Sequence, residues 1–361
     1  MADTSPSPLL TRPGAQPVPA DLACPAYDRV AWHYGNPLGE QKAPIQVVDR
    51  SNRAVLKVSG EDRVEFLNLL LSQLITADTD STTALKLDAQ GHVVDIFEVA
   101  ATNTAFYLIV SPTDVETAQE YLTAMIFWSK VQVDRVDADI AVVSVLTPTA
   151  SSAPVLTDRE VDGLAFARVT DTRVDYGVPR ATLAESVAQI QAATGGQLAG
   201  LMAFEAYRLA QVEPERSLDV DDKTLIHESR FWLAHALNLN KGCYRGQETV
   251  SKVENVGRSP RVKALALIDG SAPTQPVRGD TITLQADPGK TVGTVQTVVD
   301  HHMLGPIALV TVSRGAVEKP LQTPGGCALA LDAETLPPDG EGGGAALIAD
   351  YRAQAKDQVK G

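Results

Sequence analysis

The spacing of apolar residues divides the chain into two parts. In the first, apolar positions at helical spacing alternate with short apolar strands; one helix is predicted over residues 64–74, and a capping box of Thr113 and Glu116 predicts the start of another. From Val262 onward, short apolar strands alternate with glycine and proline turns. The pattern predicts an α+β fold for the first two thirds of the chain and a small β-barrel for the last third.

The two ends of the chain lack this periodicity. Residues 1–44 are rich in proline and predict a tail that is disordered or wraps in an extended form, with the segment 33–41 packed on the body. Between the ends we expect α+β domains at residues 45–140 and 141–256 and a barrel at 257–335. Residues 336–361 are predicted to be a flexible C-terminal tail.

Composition and charge exclude several classes of protein. No apolar run approaches the roughly 18 residues that span a bilayer, and the N-terminus lacks a signal-peptide pattern, so no membrane partner is expected. The net charge of -14 argues against nucleic acid as a partner. The three cysteines lie far apart without any CxxC spacing, which predicts a cytoplasmic protein with neither a disulfide framework nor a resident metal site. The alternative is a metal bridged by Cys243 from two chains or by Cys243 and a small thiol.

Positive charge is concentrated in one stretch of this acidic protein. Residues 241–263 hold six basic residues against two acidic ones. A local basic patch of this kind suits a small anionic ligand or an acidic partner. The alternative is a solvated strand face.

The segment KGCYRGQE at residues 241–248 is chemically unusual. Cations two residues to either side of Cys243 favour its thiolate, which can attack, ligate a metal or be oxidised reversibly. The neighbouring glycines allow a tight turn and a close approach to a ligand. We therefore predict a reactive thiol with accessory side chains, the alternative being a buried structural cysteine. The predicted catalytic set is Cys243, Lys241, Arg245, Gln247 and Glu248.

The octapeptide resembles the signature of the YgfZ family, relatives of the glycine-cleavage T-protein. The flanking sequence EAYRLA at 205–210, the run LIHE at 225–228, and Gly257-Arg258 before Pro260-Arg261 extend the resemblance to about residues 30–320. The segment HYGNPLGEQ at 33–41 resembles an extension of actinobacterial members. Ile226 departs from the signature, which has proline before the His-Glu pair.

The resemblance implies a three-domain, T-protein-like ring around a central cavity, with the first two domains interleaved along the chain and a C-terminal barrel. It also implies that tetrahydrofolate or a derivative is the cofactor. The implied function is an accessory role in iron–sulfur cluster assembly or repair, with iron–sulfur proteins or assembly factors as partners and Cys243 as the residue that matters most.

The same resemblance gives the residues expected to bind the folate. Asp95 falls where the T-protein has its folate-binding aspartate, and Asp175 falls where it has a pterin-facing glutamate. Lys241 and Arg258 suit the anionic glutamate tail, and Arg208 completes the predicted cofactor-binding set. The alternatives are a surface aspartate at a strand edge for Asp95 and an ion pair with Glu205, three residues earlier on one helix, for Arg208.

Two other functions are open at this point. One is a folate-dependent aminomethyltransferase, against which stand the motif cysteine and the reduction of the T-protein's paired aspartates to Asp95-Ile96. The other is a non-catalytic folate-binding or scaffold module, since a cavity that binds folate need not perform chemistry.

Overall fold

The structure is a computed structural model that describes residues 5–147 and 154–338, and most of the predicted C-terminal tail lies outside these ranges. The helices in the described ranges are α1 (Pro37–Glu40), α2 (Arg63–Leu70), α3 (Val115–Ala124), α4 (Leu183–Thr194), α5 (Leu201–Ala210), α6 (Arg216–Asp219), α7 (Arg230–His235) and α8 (Gln247–Val256). The strands are β1 (Gln46–Asp49), β2 (Ala54–Ser59), β3 (Ser81–Leu87), β4 (Val93–Ala101), β5 (Ala105–Val110), β6 (Gln132–Arg135), β7 (Ile140–Leu146), β8 (Phe166–Val169), β9 (Arg173–Pro179), β10 (Gln197–Ala199), β11 (Arg261–Ile268), β12 (Thr281–Leu284), β13 (Asp287–His301), β14 (Gly305–Ser313), β15 (Leu321–Gln322) and β16 (Ala328–Leu331). No helix in the described part of the chain is both long and apolar enough to cross a membrane.

Two five-stranded sheets form the α+β part. The first has the order β3-β4-β5-β2-β6 and the second the order β10-β1-β7-β9-β8. Strand β1 precedes the whole first sheet in sequence, yet it pairs with β7, where Val47 lies opposite Val145. The first strand of the second sheet thus precedes the strands of the first sheet in the sequence, and its other strands follow them. The two sheets therefore interleave along the chain.

The last third of the described chain is a closed barrel of six strands in the order β11-β14-β13-β12-β15-β16. Pairing of β11 with β16, where Ala266 lies opposite Leu331, closes it. Its interior consists of small and β-branched residues such as Ala264, Ile282 and Val310, each without solvent exposure. The predicted α+β fold with a C-terminal barrel is confirmed.

Helix α2 ends earlier than predicted, and helix α3 begins where it was predicted to begin but without the predicted cap. Helix α2 ends at Leu70 rather than continuing to residue 74, because Leu71 turns to extended geometry and packs into the core beside Ile75. Helix α3 begins at Val115 without a side-chain cap. The Thr113 hydroxyl instead contacts the side chains of Ser111 and Asp114, which removes it from the predicted capping box.

The proline-rich N-terminal segment lies on the body over residues 5–44, mostly as turns and irregular chain, with a short 3₁₀ helix at Pro8–Thr11 and helix α1. Leu9 is buried in the core of the second sheet, and Trp32 is buried against helix α5. The Tyr27 hydroxyl donates to Glu205 at 2.6 Å. The aromatic and aliphatic residues between the prolines supply the apolar contacts that hold the wrap in place.

Helix α5 lies between the second sheet and the barrel. Residues 201–209 are all buried, and the helix contacts the second sheet through β1 and the barrel through β13 and β14. Glu205 and Arg208 therefore sit in the middle of the molecule, where charged groups must find partners.

Candidate functional site

A cavity of about 420 Å³ lies between the two sheets. This volume is in the range of small-molecule sites. Its walls come from β3, the β8–β9 turn, the end of α5 and one face of α7. The lining residues that bear on binding are Thr82, Thr83, Thr172, Tyr207, Gln211, Glu213, Phe231 and His235.

A cluster of buried charges, which we call the arginine network, reaches the cavity through Arg168, Arg173 and Glu213. Its members are Arg50, Arg168, Arg173, Glu98, Asp175 and Glu213. Every member has a side chain that is at most 10% exposed. Burial alone would raise the pKa of Glu98, but Arg50 and Arg173 hold it well below its ordinary value. The network is therefore ionised and internally paired.

Asp175 lies at the centre of this network. One carboxylate oxygen accepts from Arg50 at 3.1 Å and from Ser144 at 2.5 Å; the other accepts from Arg168 at 3.0 Å and Arg173 at 3.2 Å. Those four bonds fill the roughly four lone-pair positions of a carboxylate. The structure thus places Asp175 where protein groups fill its acceptor positions, and its pterin-facing role stays a prediction.

Arg208 is equally committed to protein partners. Its guanidinium donates to Glu205 at 2.5 Å, to Asp219 at 2.7 Å and to Thr297 at 3.0 Å. The ion pair with Glu205, considered above as the alternative, is present, and Thr297 on β13 ties it to the barrel. Arg208 joins α5 to its neighbours and does not line the central cavity.

Asp95 lies on the face of its strand that points away from the central cavity, and it does not line that cavity. Successive side chains of a strand point to opposite faces, and Glu98 and Ile96 face the arginine network. Asp95 pairs instead with Lys86 at 2.7 Å, whose ammonium lies 4.2 Å from the centre of the Tyr121 ring. Burial raises the pKa of Asp95 and Lys86 opposes that shift.

The surroundings of Asp95 lead to the cysteine motif. Tyr121 is hydrogen-bonded to Arg245; burial raises the pKa of the phenol and this arginine lowers it. Asp95, Lys86, Tyr121 and Arg245 therefore form one chain of contacts on the helix-covered side of the first sheet. The structure brings two predicted residues together here, away from the cavity between the sheets.

Cys243 is exposed, and the helix that follows it starts with an unusual backbone. Gly246 precedes α8 with φ of 82°, a left-handed conformation that favours glycine. A Cβ on Gly246 would lie 2.6 Å from the carbonyl oxygen of Asp88 and 3.0 Å from the Cα of Gly91. The turn between β3 and β4 thus packs backbone to backbone against the motif, while Gln247 and Glu248 form the first turn of α8.

Lys241 fastens the motif to the cavity rim. Its ammonium donates to the carbonyls of Asn68 and Leu71, and to that of Gln73 at 3.0 Å. Burial lowers the pKa of Lys241 to about 8. Gln73 lines the central cavity and its side chain donates to the carbonyl of His235, which also lines it. Lys241 is therefore bonded to the cavity wall, and Cys243 follows two residues later in the chain.

Arg258 lies elsewhere. It lines a second cavity, which shares no lining residue with the central one and lies on the other side of α7. Its predicted contact with a ligand in the central cavity therefore does not follow from this geometry.

Comparison with known proteins gives three informative matches, although no protein-family model matches the chain. A chloroplastic protein of Arabidopsis thaliana, named as a transferase, is 26% identical over 276 residues, which are 69% of this chain and 60% of that protein. The tRNA-modifying protein YgfZ of Aliivibrio fischeri is 22% identical over 252 residues, 67% of this chain and 77% of that protein. The glycine cleavage aminomethyltransferase T of Bartonella henselae has the same fold, with a TM-score of 0.72 over 89% of this chain and 93% of that one at 16% identity.

These matches support the resemblance to the YgfZ family that the sequence carries. The chain spans less than two thirds of the length of the Arabidopsis relative. The likeness to aminomethyltransferase T is one of fold, and it confirms the T-protein-like architecture expected from the sequence.

The sequence analysis did not identify the residues that form the walls of the central cavity. Tyr207 and Glu213 follow one another around the end of α5, and Phe231 and His235 lie on α7 with ring centres 4.7 Å apart. Tyr207 lies in the family-like run at 205–210, but no local pattern marks any of the four as a cavity residue. Their proximity to β3 and to the β8–β9 turn arises only when the sheets face each other.

Proposed function

We propose that this protein binds a tetrahydrofolate derivative in the central cavity and acts, through Cys243 at the rim, in iron–sulfur cluster assembly or repair in the cytoplasm. The observation that carries the proposal is the cavity of about 420 Å³ whose wall residue Gln73 is tied by Lys241 to the cysteine motif. The site thus joins a ligand chamber to an exposed thiol.

The cavity has the chemistry that a pterin requires. The ring is flat and aromatic, and the neighbouring rings of Phe231 and His235 offer it an apolar, stackable wall. Its adjacent N–H donors need a carboxylate that can still accept. Among the described lining carboxylates, Glu213 accepts two bonds from Arg173, at 2.9 and 3.0 Å, which leaves about two of its lone-pair positions. Glu213 is therefore our candidate for the pterin, in place of Asp175.

The thiol has the chemistry that cluster work requires. An exposed cysteine can ligate iron transiently or exchange with another thiol, while buried cysteines are inert. Cys243 is the exposed member of the three cysteines, with Cys24 half-buried and Cys327 buried. Iron is here a cargo of the protein and not a resident group.

Calorimetry with folinic acid tests the ligand half of the proposal. We expect His235→Ala, which changes an exposed wall residue, and Glu213→Gln each to weaken binding by about tenfold, the loss of one contact worth about 1.4 kcal/mol. Asp95→Asn, on the opposite face of the first sheet, and Arg258→Gln, across α7, serve as controls and should bind as wild type. Unchanged affinity in both cavity variants would discard the site.

Complementation tests the thiol half. In a deletion strain, wild type and Cys24→Ala should restore the activity of an iron–sulfur enzyme, and Cys243→Ala should not. Full restoration by Cys243→Ala would reject a role for the thiol even if folinic acid binds. Turnover of a methylamine-loaded lipoyl carrier by the purified protein would instead favour an aminomethyltransferase.

A further inference from the structure

A small inner chamber lies behind the central cavity. It has a volume of about 20 Å³, and its walls include Thr83, Glu213 and Phe231, which also line the central cavity. Because these residues belong to both linings, the chamber adjoins the folate cavity. Its volume is enough for one water molecule or one oxygen atom of a ligand and is too small for a ring.

The charged groups around the chamber are already paired within the protein. Three arginines and three glutamates line it, and each of them forms an ion pair. The pairs are Arg50 with Glu98, Arg53 with Glu215, Arg173 with Glu213, and Arg208 with both Glu205 and Asp219. A bound ion would have no uncompensated charge to offset the cost of its burial, so the chamber favours a neutral group.

Two N–H groups of the residues that line the chamber have no hydrogen-bond partner in the described part of the chain. They are Nε1 of Trp232, a residue with no solvent exposure, and Nε of Arg53, a residue that is 8% exposed. An indole N–H and a guanidinium N–H donate but do not accept, so neither can satisfy the other. Buried polar atoms in native proteins nearly always have a partner, which here must be a neutral acceptor such as an oxygen atom.

The pterin ring carries an oxygen of this kind beside the N–H donors that Glu213 accepts. The 2-amino group and N3–H are adjacent on one edge of the ring, and the carbonyl group at C4 follows on the same edge. Glu213 lines both the central cavity and the chamber. A ring whose N–H donors face Glu213 therefore has its 4-oxo group next to the contact, on the side where Trp232 and Arg53 lack an acceptor.

We propose that the inner chamber receives the 4-oxo oxygen of the folate, that Trp232 and Arg53 donate to it, and that this contact selects 4-oxo pterins over 4-amino pterins. A 4-amino group would place further N–H donors against the two donors of the wall, and all of them would stay unpaired. The inference rests on the proposed folate function and deepens it, because it names the ligand atom that is recognised and the residues that recognise it.

Anaerobic calorimetry on the full chain with tetrahydrofolate and tetrahydroaminopterin tests this site, because the two ligands differ only in the oxo or amino group at C4. Wild type should bind tetrahydrofolate at least about tenfold more tightly, as expected when buried donors lose their acceptor. Trp232→Phe keeps an aromatic side chain and removes the N–H. It should weaken tetrahydrofolate binding by about tenfold more than tetrahydroaminopterin binding.

The ratio of the two affinities is the readout, because a loss of packing at a buried side chain would weaken both ligands alike. The matched control is Trp128→Phe, which changes a residue that is 93% exposed and should leave both affinities at their wild-type values. Arg53→Lys gives a second variant, since it keeps the positive charge beside Glu215 but has no Nε–H. It should narrow the same ratio, and it decides the question if Trp232→Phe does not fold.

Equal wild-type affinity for the two ligands, or an unchanged ratio in Trp232→Phe, would overturn this inference. If folinic acid still bound in the central cavity, the proposed function would stand without it. Absence of binding for folinic acid, tetrahydrofolate and tetrahydroaminopterin alike would reject the proposed function and this inference together.

Discussion

Replacing Asp175 by asparagine tests whether this residue is a structural centre or a ligand contact. The substitution keeps size and shape but removes one negative charge at a position with no solvent exposure. The arginine network contains three arginines and three carboxylates, and in the variant the same three arginines would have only two carboxylates as partners. The new amide nitrogen would also point a donor at guanidinium donors, which cannot accept it.

The size of the effect follows from the burial of the site. Removing one partner of a buried ion pair costs about 3–5 kcal/mol, because the remaining charge stays out of water without compensation. Asp175 accepts four hydrogen bonds, so its loss belongs at the upper end of that range. We expect the free energy of unfolding of Asp175→Asn to fall by about 4 kcal/mol.

Urea unfolding followed by circular dichroism measures this change, with folinic acid binding measured on the same samples. The control is Asp171→Asn, an exposed aspartate on the rim of the same cavity, which should stay within about 0.5 kcal/mol of wild type. A loss below about 1 kcal/mol would refute the argument from the network. Retained stability with lost folinic acid binding would restore Asp175 as the pterin-facing residue.

Three further predictions follow from the same structure. Gly246→Ala should lower the free energy of unfolding by about 1–2 kcal/mol or more, because Gly246 has a positive φ and an added Cβ would lie 2.6 Å from a backbone oxygen. The control is Gly242→Ala, whose added Cβ would have no atom within 4 Å. Equal melting temperatures for the two variants would contradict this packing. In a thiol-labelling time course, Cys243 should react first and buried Cys327 last, since burial also raises the pKa of the latter; a fast phase that survives Cys243→Ser would be inconsistent with the structure. Two carboxylates of the arginine network have a pKa lowered below the unfolded-state values of about 4. Their contribution to stability is therefore present above about pH 4 and lost as the pH falls below it, so a melting temperature that stays flat from neutral pH to about pH 3 would exclude it.

The sequence by itself determined the features that depend on near neighbours. The alternation of apolar residues with turns from Val262 onward was sufficient for the barrel, since strand period and turn residues are local properties. The glycines beside Cys243 predicted a tight turn, and Gly246 has the positive φ of such a turn; the exposure of the thiol was decided by the structure. The family resemblance rested on the same short runs of residues.

Only the tertiary structure decided what the charged residues do. Asp175 is paired with Arg50, 125 residues away in the chain, and Arg173 with Glu98, 75 residues away. Distant arginines therefore fill the acceptor positions of a carboxylate that the sequence presents as free to bind a ligand. Asp95 points away from the cavity because of the way its strand pairs with β3, where it forms an ion pair with Lys86. The residues that wall the two cavities come together because sheets, α7 and barrel pack against one another, and local sequence carries no signal of contacts made at that range.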